Sequence, residues 1–141
     1  MQHKIFAWLW PLLLLQACAT TTVGPERPED AGVVIEGIII KNELAYGVTD
    51  VMIEVPATGA FAGCGNILAR TQCRNTFQDV NYQSNAVLIR WKERGQAKQT
   101  GEFVIDVPEG LEPGLSSWVE VVIYGPGQAG ARLVQPDNRA R

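Results

Sequence analysis

Val48-Thr49-Asp50-Val51-Met52-Ile53-Glu54-Val55 alternates along its length. Successive side chains of an extended chain point to opposite faces, so Val51, Ile53 and Val55 share one face while Asp50 and Glu54 share the other. That pattern predicts a half-buried strand, and the same reading extends outward on both sides. Upstream, Val33 to Ile40 is almost continuously apolar and β-branched, broken by Glu36 and Gly37. It predicts a strand covered on both faces or one that switches sheets. Downstream, Ala86 to Lys92 puts Val87, Ile89 and Trp91 inward and Arg90 and Lys92 outward. After an Arg94-Gly95-Gln96 turn, Phe103, Ile105 and Val107 face in and Glu102 and Asp106 face out, completing a predicted hairpin.

Ser117 to Tyr124 supplies a further strand. Gly125-Pro126-Gly127-Gln128-Ala129-Gly130 then turns the chain into a short last one, Ala131 to Gln135. No segment carries a helical period. Short strands at these intervals, punctuated by Gly and Pro, predict an all-β chain: a small β-sandwich of six to eight strands, immunoglobulin-like or transthyretin-like in kind. Its expected bounds are residues 32–136, enough chain for one modest core, with a short tail over 137–141.

The first residues read differently. Lys4 precedes an apolar run from Ile5 to Leu15, which ends in Leu15-Gln16-Ala17-Cys18. A run of about eleven residues, at about 1.5 Å each as a helix, spans only about half of a hydrocarbon core. It fits an export signal rather than a membrane crossing. Leu15-Gln16-Ala17-Cys18 resembles the lipobox of bacterial lipoproteins. The resemblance implies a signal peptide over 1–17 cut before Cys18, and acylation of Cys18 that anchors the chain in membrane lipid. Two or three acyl chains at about 0.8 kcal/mol per buried methylene hold far better than one. Ala19, standing where Asp would imply retention at the inner membrane, implies the periplasmic face of the outer membrane. The segment 18–31, with Thr20, Thr21, Thr22, Pro25, Pro28, Glu29 and Asp30, has no apolar periodicity and reads as a tether.

Loss of the leader narrows the chemistry. His3 is the only histidine, so a mature chain starting at Cys18 has no imidazole for Ser-His-Asp or Cys-His catalysis or for a His-containing metal site. With Lys4 removed, the 12 basic residues become 11 against 15 acidic ones, a balance of −4. No nucleic-acid partner is expected. Arg90, Lys92, Arg94 and Lys98 cluster on the predicted hairpin, which sheet alternation and a solvated face explain, with anionic lipid or lipopolysaccharide as the functional alternative.

An insertion, Ala57 to Ser84, holds Cys64 and Cys73. In the oxidising compartment that the lipobox implies, two unacylated cysteines with a loop between them are expected to form a disulfide. A metal site would need further ligands, and a redox pair would want closer spacing. Phe61, Ile67, Leu68 and Phe77 make the same segment a candidate interaction loop.

Glu36-Gly37-Ile38-Ile39-Ile40-Lys41-Asn42, followed by the Val48 to Val55 strand and later by Glu102-Phe103-Val104-Ile105, resembles the strand order of LEA-2 and FxLYD type immunoglobulin-like domains. The Phe-x-Leu-Tyr-Asp segment of that family is missing. The resemblance implies a fold and no catalytic residues. Carboxylate pairs such as Asp50 with Glu54, or Glu102 with Asp106, read as solvent-facing alternates. Trp91, Trp118, Tyr82 and Tyr124 read as core, with a carbohydrate or peptide groove as the alternative. The chain is therefore expected to be no enzyme and to need no cofactor or metal. The expected function is a structural or protein-interaction module with an envelope protein partner. The alternative is a binding module for a lipid, glycan or peptide, which should show a concave apolar pocket rather than a flat patch.

Overall fold

The computed structural model describes residues 32–112 and 114–135. The expected signal peptide, Cys18, tether and tail lie outside them. Nine strands run in chain order: β1 (Val33–Asn42), β2 (Val48–Val55), β3 (Ala60–Cys64), β4 (Gln72–Tyr82), β5 (Ala86–Glu93), β6 (Gln96–Gln99), β7 (Phe103–Val104), β8 (Ser117–Gly125) and β9 (Gln128–Val134). One sheet has the order β4-β1-β8-β9 and the other β3-β2-β5-β6, with β7 also on β5. Side chains from both sheets meet in one core, among them Ile38, Ile40, Val121 and Ile123 facing Val51, Ile53, Ile89 and Trp91. This is a small β-sandwich as expected, with nine strands where six to eight are predicted, because residues 57–84 supply β3 and β4 and the strand after β5 is broken into β6 and β7.

β1 explains its own composition. It lies between β4, antiparallel, and β8, parallel. Ile38 and Ile40 point into the core while Ile39, on the outer face, is still only 8% exposed. A central strand can thus use apolar residues on both faces. The Glu36-Gly37 break is a bulge in the pairing to both neighbours. It turns Glu36 outward to accept a hydrogen bond from the Trp118 indole at 2.7 Å. A Cβ on Gly37 would lie 2.6 Å from both the Asn75 carbonyl oxygen and the Trp118 ring. Only glycine lets the ring lie there. Trp118 therefore packs on the outer face rather than in the core, with the Arg74 guanidinium stacked 4.5 Å from its centroid.

The hairpin after β5 differs from the expected one. β5 and β6 join through Arg94-Gly95, both at positive φ, which is the geometry of a type I′ turn. Past Gln99 the partner strand bulges, and pairing resumes only at Phe103–Val104, opposite Val87 and Ala86. At the bulge the Thr100 hydroxyl accepts from the Ile89 N–H at 3.0 Å, standing in for a backbone carbonyl. Phe103 is half-buried and Ile105 is buried as expected, but Val107 is exposed, because the chain has left the sheet. The last turn is also tighter than its composition suggests. Only Pro126-Gly127 turns, and Gln128, Ala129 and Gly130 already belong to β9.

Two strands fall in the segment read as an insertion. β3 borders one sheet, β4 borders the other, and both lie on the same side of the sandwich. β4 shows almost no buried side chain over eleven residues. An edge strand exposed on both faces needs no apolar alternation, so its sequence carries no strand period.

Candidate interaction surface

Cys64 at the end of β3 and Cys73 near the start of β4 form a disulfide, with Cα atoms 6.5 Å apart. Cys64 pairs with Val51 of β2 and Cys73 with Ile40 of β1, so the bridge spans the two sheets and packs against the flank of the core. Beside it the Asn75 side-chain amide donates to the Gly63 carbonyl. The two sheet borders are thus joined by one covalent and one polar link.

Between them, residues 65–71 are held by groups that the sequence reading missed. Asn42, 1% exposed, donates from its side-chain amide to the carbonyls of Tyr46, Ile67 and Leu68 at 2.8, 3.3 and 3.0 Å. Its side-chain oxygen accepts from the Leu44 N–H. Ile67 exchanges two backbone hydrogen bonds of 2.9 Å with Val48. The Thr71 hydroxyl closes the turn by donating to the Leu68 carbonyl.

The candidate interaction residues separate accordingly. Ile67 is 2% exposed and belongs to the core, which corrects its placement in the exposed loop: the paired backbone at Val48 drives its side chain inward. Leu68, the next residue, is 72% exposed. Phe61 on β3 is 71% exposed, and Phe77 on β4 is at 36%. Val80, not singled out from sequence, joins them at 54%. The only cue for it was an apolar residue in a polar run, which is weak because surface apolar residues are common.

β4 also leaves backbone groups unpaired. The Asn42 N–H donates to the Thr71 carbonyl, so by antiparallel alternation Ile40 and Ile38 bond Cys73 and Asn75 while the main-chain groups of Arg74 and Thr76 project to the free side. The strand contains neither Pro nor Lys, two residues that commonly blunt such edges.

Two carboxylates are buried, and neither drew notice in the sequence. Glu93, 5% exposed, accepts from the Trp91 indole and the Gly127 N–H, both at 2.8 Å, and from the Tyr46 hydroxyl at 3.2 Å. Burial alone would raise its pKa. The three hydrogen bonds and the Lys98 charge outweigh burial and hold the carboxyl below its ordinary range. Glu120, 4% exposed on the outer face, is likewise held low against burial, here by hydrogen bonds and charge from Lys41 and Arg132. Every bonded partner is structural, so these groups tie elements together.

The remaining candidates are placed as follows. Arg90 pairs with Glu54 at 3.4 Å and Lys92 with Asp50 at 2.9 Å across the outer face of β5 and β2, so two of the four basic residues of the cluster are ion-paired. Arg94 stacks on Tyr46 at 4.3 Å. Trp91 is core, whereas Tyr124 is exposed rather than buried. The Tyr82 hydroxyl donates to the Ile105 carbonyl at 2.8 Å and accepts from the Ile105 N–H at 3.0 Å, joining the end of β4 to the end of β7. Among the described residues no three His, Cys, Asp or Glu side chains are grouped to hold a metal.

Two surface cavities, of about 480 and 380 Å³, are both wide open to solvent. The larger lies between β7 and β9; the smaller is lined by Lys41, Asn42, Glu43 and residues 70–72. Comparison with known proteins gives no match: no family model, curated protein or solved structure aligns significantly with the chain.

Proposed function

We propose that this chain is an envelope lipoprotein whose β-sandwich is a non-catalytic protein-interaction module. Anchoring would come from acylated Cys18 at the periplasmic face of the outer membrane, on the strength of Leu15-Gln16-Ala17-Cys18. The observation that carries the interaction reading is β4, a long border strand with free backbone groups, exposed Phe77 and Val80, and a covalent tie to β3. A partner strand added along β4 would gain main-chain hydrogen bonds, and the two apolar side chains would select what packs over them. Phe61 on β3 and Leu68 in the turn before β4 are exposed as well. Kinship with LEA-2 and FxLYD type domains remains part of this proposal at the level of fold.

The test is in vivo crosslinking from a photoreactive side chain placed at Gln78, followed by envelope purification. One discrete adduct is expected, lost when Phe77→Lys and Val80→Lys are combined. A ladder of unrelated adducts, or an adduct indifferent to those changes, would defeat the interaction reading. Anchoring is tested separately by intact-mass analysis, which should find acyl additions on a chain that begins at Cys18; an unmodified cysteine there would overturn it.

A further inference from the structure

The side of the sandwich opposite the disulfide is built differently. There β9 and the β6-β7 strand border a groove of about 480 Å³, lined by Thr100 to Val104, Asp106 and Ala129 to Arg132. That volume lies within the usual range for ligand sites. β9 has β8 on one side only. The Ile123 carbonyl accepts from the Glu43 N–H at 2.9 Å, on the side of β8 away from β9. By alternation, Trp118, Glu120 and Val122 bond β9, through Val134, Arg132 and Gly130. The main-chain groups of Ala129, Ala131 and Leu133 therefore project to the free side of β9, the first two along the groove wall. No strand among the described residues takes them up.

The side chains around this row are small or apolar. Ala129, Ala131 and Phe103 are half-buried at the margin of the core, and Gly101 and Gly130 add no bulk. The groove also has a sign. Glu102 and Asp106 on its wall have no ion pair among the described residues, whereas its one cation, Arg132, is bound to Glu120 on the outer face. The groove is open to solvent, and the Lys98 stem lies near Gly127 in the turn that precedes β9. Beyond the end of β9, the Gln135 side chain bonds the Glu112 N–H, the Glu112 carbonyl and the Leu115 carbonyl at 2.7, 3.0 and 3.2 Å.

We propose that this groove receives an extended basic peptide segment as an added strand on β9. Its backbone would bond Ala129, Ala131 and Leu133, its alternate small apolar side chains would cover Phe103, and its Lys or Arg residues would meet Glu102 and Asp106. This site is separate from the β4 surface and stands or falls without it.

The probe is the synthetic peptide Lys-Val-Ala-Val-Ala-Val-Lys, with Glu-Val-Ala-Val-Ala-Val-Glu as its counterpart, titrated into the full 15N-labelled protein. The basic peptide should shift the amides of Ala129, Ala131, Leu133 and residues 103–106, and slow solvent exchange at Ala131 at least about tenfold. The acidic peptide should bind at least about tenfold more weakly. Glu102→Gln combined with Asp106→Asn, two surface changes, should abolish that preference. Equal binding of both peptides would overturn the proposal, as would shifts centred on residues 74–80 of β4. Protection of the same three β9 amides by concentration-dependent dimerisation without peptide would put a second copy in the groove, and would overturn it too.

Discussion

Replacing Glu93 by Ala should be among the most damaging single changes in this domain. Its carboxylate collects donors from three places: the Trp91 indole on its own strand, the Gly127 N–H in the β8-β9 turn, and the Tyr46 hydroxyl between β1 and β2. Alanine leaves the buried Trp91 indole without a partner, whereas the Gly127 N–H, in an exposed turn, exchanges its bond for one to water. At about 1 to 3 kcal/mol for the orphaned indole and about 0.5 to 1.5 kcal/mol for the exchanged bond, the loss should be about 2 to 4 kcal/mol, a large part of the 5 to 15 kcal/mol typical of a domain. With a urea slope of about 1.5 kcal/mol per molar, the midpoint should fall by about 2 M. Glu93→Gln keeps an oxygen for both donors, removes the charge and turns an amide NH2 towards the Tyr46 hydroxyl, which can accept from it, so about 1 kcal/mol is expected. The pH dependence gives a second readout. Because the folded pKa of Glu93 lies below its unfolded value, the unfolded chain binds the proton first on acidification. The stabilisation is complete above the unfolded pKa and is lost as pH falls through the folded one. Glu93→Gln should therefore flatten the acid limb of stability against pH, leaving the share that belongs to Glu120. Urea denaturation at a series of pH values measures both effects. An alanine variant within 1 kcal/mol of wild type, or a glutamine variant with an unchanged acid limb, would refute the reasoning.

Cys64→Ser with Cys73→Ser opens a loop of about ten residues, and the chain-entropy relation gives a loss of about 2.5 to 3 kcal/mol; urea denaturation should show it while far-UV circular dichroism stays β-type. Ile67→Ala should cost about 2 to 5 kcal/mol as a core truncation, whereas Leu68→Ala should stay within about 0.5 kcal/mol; equal effects in thermal or urea unfolding would mean that the turn is placed wrongly. Gly37→Ala should cost about 1 to 3 kcal/mol by driving its methyl into Trp118 and the Asn75 carbonyl, and a red shift in tryptophan emission should accompany it as the indole is pushed towards water.

The strands legible in the sequence are those with at least one buried face. β2 and β5 alternate because their outer faces carry Asp50, Glu54, Arg90 and Lys92 in cross-strand ion pairs, and β1 is apolar throughout because it is central. What stayed hidden has a physical reason in each case. β4 touches little of the core, so no period marks it. The beginning of β9 hides in Gly-Gln-Ala-Gly composition, although Ala129 and Ala131 pack against the core with side chains too small to register as apolar. Ile67 and Leu68 look alike in the sequence, because nothing local shows that Val48 captures the backbone of one and leaves the other outward. At the candidate site, Cys64 and Cys73 could be paired from compartment and spacing. Asn42 and Glu93 could not be found, since a buried polar residue is recognised by distant partners.

The position of the disulfide follows from what β3 and β4 lack. These two strands bury few side chains, so apolar burial, the main stabilising term elsewhere in the sandwich, contributes little to holding them. Each also has a sheet neighbour on one side only. Such strands open at low free energy unless something else restrains them. The Cys64-Cys73 bridge and the Asn75 contact to Gly63 act at that point, tying each weakly packed border to the other and, through Val51 and Ile40, to the core. The same arrangement leaves Phe61, Phe77 and Val80 exposed at little cost to folding. On the opposite side, β9 is set by Leu133 in the core and by the Arg132 pairing with Glu120, and the groove beside it needs no covalent tie. One border is thus held by a cross-link and exposes apolar side chains beside its free backbone, while the other is held by packing and exposes backbone flanked by small side chains. Reduction should therefore weaken binding at β4 and leave binding at β9 unchanged, and a reductant that abolished both would show that the two borders unfold as one unit.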